Sequence, residues 1–262
     1  MSSTFETIQY NLSGSVLTVT LNRPDRYNAL TEQMHREIGE AFKQAAKDEN
    51  VRAVILTGAG KAFCSGQDLK EIKDMPGRNL GDSLRKNYNP NILRIRGLEK
   101  PVLCALNGVA AGAGMSFALA CDLIIAAESA SMIQSFINVG LVPDSGSTWM
   151  LAHLVGYHKA FEITTTGRKL DAGEMEELGL VHKIVPDDEV MSQTMELAEK
   201  YAAAPTRAIG LIKRGLNRMP AANLEQALEY EAFSQEIAGM SEDYKEGVAA
   251  FNEKRKANFG GK

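Results

Sequence analysis

Apolar and polar positions along this chain follow two periods, one of strands and one of helices. Val16–Leu21 is a β-rich run that stops at Asn22-Arg23-Pro24-Asp25, because proline fixes φ and cannot extend a ladder. Thr31 predicts the cap of a helix running to about Lys47. Its apolar residues Met34, Ile38, Ala41, Phe42 and Ala45 recur at three- and four-residue steps. Residues 51–57 predict a second strand, closed by Gly58-Ala59-Gly60. A loop over 61–69 then feeds a helix starting near Asp68. Residues 74–82, rich in Gly, Pro, Asn and charge, predict a mobile surface stretch. A helix over 84–97, a strand Val102–Leu106, a Gly-rich turn over 107–114, a helix over 115–120 and a strand Leu123–Ala127 follow.

This alternation predicts an α/β fold of stacked β-β-α units rather than a sandwich or a bundle. After about residue 190 the pattern is helical only, over 191–203, 207–218, 224–237 and 244–254, with breaks at Pro205, Pro220 and Gly239. The expected organisation is an α/β core at 1–190 and a helical C-terminal region at 191–262. Residues 108–127 are membrane-like in length, but Ser116 and Asp122 interrupt them and small residues fill their first half. A span needs about 20 predominantly apolar residues, so helix plus strand in a core is expected instead.

Composition narrows the classes. The 262 residues are 44% hydrophobic and 24% charged, as in ordinary globular proteins. With 29 basic against 33 acidic residues, no nucleic-acid surface is advertised. Three widely spaced cysteines (Cys64, Cys104, Cys121) form no disulfide framework, and the polar start carries no leader pattern, so a reduced, cytoplasmic protein with no membrane partner is expected. Lys61 does not complete a phosphate-binding loop, since Ile55 and Ala62 stand where Gly and Ser or Thr are required. Gly112-Ala113-Gly114 fails as a dinucleotide fingerprint because its third glycine position is Phe117. No Gly-x-Ser-x-Gly elbow supports Ser145 or Ser147 as nucleophiles. His35, His153, His158 and His182 show no metal spacing, and Trp149 is expected to pack in the core.

Three loops share one design: a β-rich run ends in small residues and a helix begins shortly after. They are Ala62-Phe63-Cys64-Ser65-Gly66-Gln67-Asp68-Leu69, Asn107-Gly108-Val109-Ala110-Ala111-Gly112-Ala113-Gly114, and Gly140-Leu141-Val142-Pro143-Asp144-Ser145-Gly146-Ser147-Thr148. Small residues let a ligand approach the backbone, and free N–H groups at helix starts point outward. Two such donors on one oxygen make an oxyanion hole, each contributing about 2.7–4 kcal/mol to a transition state.

These loops, with Leu21-Asn22-Arg23-Pro24, resemble the crotonase superfamily of enoyl-CoA hydratases and isomerases over nearly the whole chain. The resemblance implies a spiral of β-β-α turns, a helical C-terminal trimerisation region giving a homotrimer or a dimer of trimers, and an acyl-CoA thioester as substrate. It implies no metal and no cofactor beyond coenzyme A as part of that substrate. By position, the backbone N–H groups of Gln67 and Ala113 would form the oxyanion hole. Arg26 and Tyr27 would touch coenzyme A, as would Ser65, Gly66, Asp68, Leu69 and Lys70 in the adenine and active-site loop. Gly114 and Phe136 would line the site, Tyr88 would wall the acyl pocket with residues 74–82, and Phe251 and Lys254 would reach the nucleotide of a neighbouring subunit.

One departure from the family pattern is informative. Hydratases use two glutamates to add water, and this chain has Ser116 and Phe136 at those positions. A serine without a partner is a poor base and phenylalanine moves no proton. Asp144 remains, and the resemblance implies it as the acid/base; by local sequence an Asp after Pro at a helix start is more often an N-cap, and the two roles are compatible. The Pro-Asp-x-Gly-x-Thr-Trp run and Tyr88-Asn89-Pro90 are similar to the branch of the superfamily that rearranges the ring epoxide of phenylacetyl-CoA. The expected activity is therefore an isomerase, shifting a double bond or rearranging a ring epoxide through an enolate. The alternatives are a hydratase, an aryl-CoA dehalogenase with Asp144 as nucleophile, or a non-catalytic acyl-CoA- or RNA-binding paralogue.

Overall fold

A computed structural model describes residues 5–73, 77 and 79–262. The chain enters through a hairpin, β1 (Ile8–Ser13) and β2 (Val16–Leu21), whose two-residue loop places Gly14 at φ 57°. Helix α1 (Glu32–Lys47) starts where Thr31 predicts: the Thr31 hydroxyl accepts from the Met34 N–H at 3.2 Å. Three β-β-α units follow. They are β3 (Ala53–Gly58) and β4 (Ala62–Cys64), β5 (Val102–Leu106) and β6 (Val109–Ala111), then β7 (Leu123–Ala127) and β8 (Ser131–Ile133).

In each unit the first strand joins a six-stranded sheet of order β1-β2-β3-β5-β7-β10, where β10 is Lys183–Val185. The second joins a four-stranded sheet of order β4-β6-β8-β9, where β9 is Lys169–Asp171. Strands β2, β3, β5, β7 and β10 run parallel, as do β4, β6 and β8. Every residue of β3 and β5 is buried, the continuous apolar run of parallel strands covered on both faces. This is the crotonase-type spiral.

The helices between strands are α2 (Leu69–Lys73), α3 (Leu80–Ser83), α4 (Asn89–Gly97), α5 (Ala113–Leu119), α6 (Ser147–Thr166) and α7 (Ala172–Glu177). A wider π-type turn, Leu84–Tyr88, joins α3 to α4, so the expected helix over 84–97 begins four residues earlier. Of the stretch 74–82, expected to be mobile, residues 74–76 and 78 lie outside the described residues. Helix α6 breaks at Gly156, whose φ of 75° is not helical.

Past residue 190 come α8 (Val190–Ala202), α9 (Thr206–Arg218), α10 (Leu224–Gly239) and α11 (Glu242–Glu253). Helix α8 lies against β3, β5 and β7, and its Val190, Ala198 and Ala202 enter the same core as the sheet. Helix α9 is docked by Lys213. Its buried ammonium donates to Asp122 Oδ2 at 2.7 Å and to the Ile95 and Lys100 carbonyls. Among the described residues, no helix is long and apolar enough to cross a membrane.

Candidate active site

Strands β4, β6 and β8 run side by side and in the same direction, so the segments that leave their C-terminal ends meet at one place. Ligands of open α/β sheets characteristically bind outside the carboxyl ends of parallel strands. Here those ends deliver Ser65-Gly66-Gln67, Gly112-Ala113-Gly114 and Gln134-Ser135-Phe136.

The first two segments touch backbone to backbone. A Cβ on Gly114 would lie 2.2 Å from the Cys64 carbonyl oxygen, and one on Gly66 would lie 2.8 Å from the Ala111 carbonyl oxygen and 3.7 Å from the Ala113 nitrogen. Gly66 also needs a φ of 91°. The neighbours of Gln67 take up the backbone pairing with Leu30: Leu30 N–H donates to Gly66 O at 2.7 Å and Asp68 N–H donates to Leu30 O at 3.0 Å. That leaves the Gln67 N–H outside the pairing. Ala113 is the first residue of α5, so its N–H is among the four that a helix cannot satisfy. The two predicted donors thus stand on adjacent, tightly packed loops.

Phe136 covers this junction, with its ring 3.7 Å from where a Cβ on Gly112 would sit. Asp144 approaches from the third loop. Its backbone carbonyl accepts from the Ser116 hydroxyl in the first turn of α5 at 3.3 Å. The capping alternative fails here. The cap of α6 is Gly146, and no side chain accepts from the first turn. Ser145 (φ 53°) and Gly146 (φ 80°) are both left-handed, which turns the chain before α6 begins. Among the described residues, the carboxylate accepts one hydrogen bond, from the Ser145 hydroxyl at 2.8 Å. Burial pushes the Asp144 carboxyl above the usual carboxylate range, and the Ser145 bond only partly opposes that.

Arg26 and Tyr27 lie beside Ser65, whose N–H donates to the Tyr27 carbonyl at 3.0 Å. Both are exposed, as are Leu69 and Lys70. Asp68 is engaged within the protein: Arg23 donates to its Oδ2 at 2.9 Å and the Lys70 N–H to its Oδ1 at 3.1 Å. Burial acts to raise the Asp68 carboxyl, but Arg23 and these N–H bonds outweigh it and hold it below the ordinary value. Cys64, on the same loop, is buried and pushed up to about 12, so it is an inert thiol at neutral pH.

Tyr88 is buried, its ring centroid 3.9 Å from that of His35, and it packs in the core. Phe251, 84% exposed, and Lys254 sit at the end of α11, which packs against α10 and the C-terminal tail. One chain does not bring them to the three loops. Trp149 corrects the expectation of core packing: it is 43% exposed and lies against His153, with ring centroids 4.4 Å apart.

The polar residues that hold the loops carry little local signal in the sequence. Asn28 is buried and donates to the Ala59 and Ala62 carbonyls. Asn107 donates to the Gly58 and Gly60 carbonyls and accepts from the Gly58 N–H. Gln134 and Ser147 meet Ser116 behind Asp144. An Asn beside a glycine turn is the one signal that could have marked the first two; nothing local marks Gln134.

The fold is that of a known family. The family model described as Enoyl-CoA hydratase/isomerase matches residues 11–262, and the chain belongs to that family. It is 41% identical over 260 residues to a protein of Escherichia coli (strain K12) named 1,2-epoxyphenylacetyl-CoA isomerase, covering 98% of this chain and 99% of the relative. It is 39% identical over 258 residues to a protein of Rhodobacter capsulatus named "Probable enoyl-CoA hydratase", covering 98% and 99%. The crystal structure of an enoyl-CoA hydratase from Bacillus anthracis superimposes with a TM-score of 0.92 at 34% identity, covering 98% of this chain and 100% of that one.

Proposed function

We propose that the protein is an acyl-CoA isomerase in which Asp144 is the single acid/base. The observation that carries this reading is one carboxyl, raised by burial, on the loop that touches α5, while Ser116 and Phe136 occupy the positions that resemblance assigns to the hydratase glutamates. Ser116 is fully buried and hydrogen-bonded, and so is out of reach of a substrate water.

With a 3-enoyl-CoA, the Asp144 carboxylate removes a proton from the carbon next to the thioester. The negative charge moves onto the thioester oxygen, where the Gln67 and Ala113 N–H groups donate to it, each contributing about 2.7–4 kcal/mol. The protonated Asp144 then returns the proton two carbons further on, giving the 2-enoyl thioester. A ring epoxide conjugated to the same enolate would open and rearrange by the same proton shuttle. The balance closes with one carboxyl and two amides, so the reaction as proposed needs no metal and no redox cofactor. A carboxyl raised by burial is the better base for a weakly acidic carbon. The Phe136 ring keeps water from the enolate.

Arg26 and Lys70 supply exposed positive charge for the coenzyme A phosphates, and Tyr27 and Leu69 supply apolar surface beside it. Exposed apolar residues on α6 (Tyr157, Phe161), α9 (Leu216) and α10 (Leu228, Phe233) support a trimer in which these faces are covered.

The test is deuterium exchange and double-bond migration in 3-hexenoyl-CoA by the wild type and by Asp144→Asn. Loss of at least 10³-fold in kcat is expected for the variant, and full activity would refute the proposal. Because relatives are named hydratases, crotonyl-CoA plus water is the second substrate to try; turnover at rates comparable to isomerisation would favour the hydratase reading.

A further inference from the structure

Behind Asp144 lies a chain of side-chain hydrogen bonds with no solvent contact: Ser116, Gln134 and Ser147 are each 0% exposed. The Gln134 amide donates from Nε2 to Ser147 Oγ at 3.0 Å. Ser147 Oγ and Ser116 Oγ are 2.6 Å apart. Ser116 Oγ in turn lies 3.3 Å from two backbone carbonyls, those of Gly112 and Asp144.

Either hydroxyl of the Ser116–Ser147 pair can donate, and one direction serves both carbonyls. In it, Ser147 Oγ accepts from Gln134 and its own proton serves Ser116. The Ser116 proton is then shared between the two carbonyls. In that orientation the Ser116 hydroxyl reaches both carbonyls, and Gln134 Oε1 is the one buried side-chain atom of this network without a partner among the described residues.

The two carbonyls are not arbitrary. Gly112 immediately precedes Ala113, whose N–H is one proposed donor to the enolate oxygen, and Asp144 is the proposed acid/base. One hydroxyl therefore ties the anion-stabilising loop to the proton-transfer loop. The Asp144 loop is joined to α6 through its backbone, the Ser147 N–H donating to the Asp144 carbonyl at 3.0 Å, and the Ser116 hydroxyl adds the link from that same carbonyl to α5.

We propose that Ser116 is a positioning residue, with Ser147 and Gln134 orienting its hydroxyl, and that it sets the distance between the Asp144 carboxylate and the oxyanion donors. The inference rests on the Asp144 reading above. On this account the serine at the first hydratase position is not an idle replacement. It converts a place that would hold a base into the fastener for a base elsewhere.

The experiment measures kcat and KM for exchange and migration in 3-hexenoyl-CoA, together with thermal unfolding, for Ser116→Ala, Ser147→Ala, Asp144→Asn and the Ser116→Ala/Asp144→Asn double variant. We expect Ser116→Ala to lower kcat by about 10- to 100-fold with KM within twofold, since a misplacement approaching 1 Å has effects of that order. Ser147→Ala should show the same split to a smaller extent, and it keeps the test available if Ser116→Ala does not fold. The double variant should be no slower than Asp144→Asn alone, because Ser116 acts through Asp144. A kcat for Ser116→Ala within twofold of wild type, or a loss that multiplies on top of Asp144→Asn, overturns the inference while leaving Asp144 as the acid/base. Undiminished turnover by Asp144→Asn instead removes the reading on which the inference stands.

Discussion

The contact between β4 and the start of α5 offers a substitution whose effect can be worked out from distances. In Gly114→Ala, the new Cβ would stand 2.2 Å from the Cys64 carbonyl oxygen, 2.9 Å from its carbon and 2.9 Å from its Cβ. Carbon contacts settle near 3.5 Å, so the two segments must part by about 1 Å. Neither can do so easily. Cys64 is paired to Ala110 in the small sheet, and Gly114 is held within α5 beside Gly112, whose N–H donates to Ile133 O at 2.8 Å. Overpacking of this kind costs about 1–3 kcal/mol, and a rigid backbone acceptor puts this case at the upper end. For a chain of this size that lowers the melting temperature by about 6–12 °C. The same displacement moves Gln67 away from Ala113, so the two amides no longer converge on one oxygen, and kcat should fall by about 10²-fold. Isomerisation of 3-hexenoyl-CoA and differential scanning calorimetry measure the two effects. Gly97→Ala is the control: no atom lies within 4 Å of its Cβ position, so both quantities should stay near wild type. A Gly114→Ala protein that melts early but keeps kcat within twofold of wild type would refute the claim that this close approach builds the donor pair.

Two further predictions concern charge. Burial raises the Asp144 carboxyl and the Ser145 hydroxyl lowers it, and the base must be ionised to act, so turnover should fall as pH drops through the carboxyl's titration. Ser145→Ala removes the lowering bond, so the acid limb of the kcat/KM profile should move to higher pH; a limb that stays put or moves lower contradicts the assignment. Lys213→Met leaves Asp122 and the Ile95 and Lys100 carbonyls without their buried cation. Breaking a buried pair costs about 3–5 kcal/mol, which urea unfolding should register, and a loss below about 1 kcal/mol would mean that α9 docks by apolar packing alone.

Much of this molecule is legible in its sequence, and what is not legible has physical causes. Val16–Leu21, Val102–Leu106 and Leu123–Ala127 are long enough for their apolar runs to stand out, and all three are strands of the large sheet with those bounds. Thr31 and the periodicity of α1 locate that helix to the residue. The small sheet escaped, because β4, β6, β8 and β9 have three residues each and three residues carry no period. Their pairing is set by chain geometry: β4, β6 and β8 each follow a strand of the large sheet and the spiral stacks them, while β9 returns antiparallel to β8. That sheet nevertheless positions the three loops, whose small residues did stand out. The legible part of the site is thus its backbone chemistry, and the hidden part is its scaffolding.

Asp144 shows where local reading reaches its limit. Pro-Asp followed by Ser-Gly-Ser before a helical run has the composition of a cap, and nothing within six residues distinguishes a cap from a free carboxylate. The difference is made by two successive left-handed residues and by a hydroxyl 28 positions earlier in the chain. A serine at position 145 is an uncommon occupant of that region of φ. The strain is borne by the contacts around it: Ser145 is buried, its hydroxyl is bonded to Asp144, and the next turn is secured by the Ser147 N–H donating to the Asp144 carbonyl at 3.0 Å. The carboxylate makes no capping bond to α6, and its burial disfavours the ionised form. The proposed acid/base must both take and return a proton, and a buried carboxyl beside a strained turn suits that task.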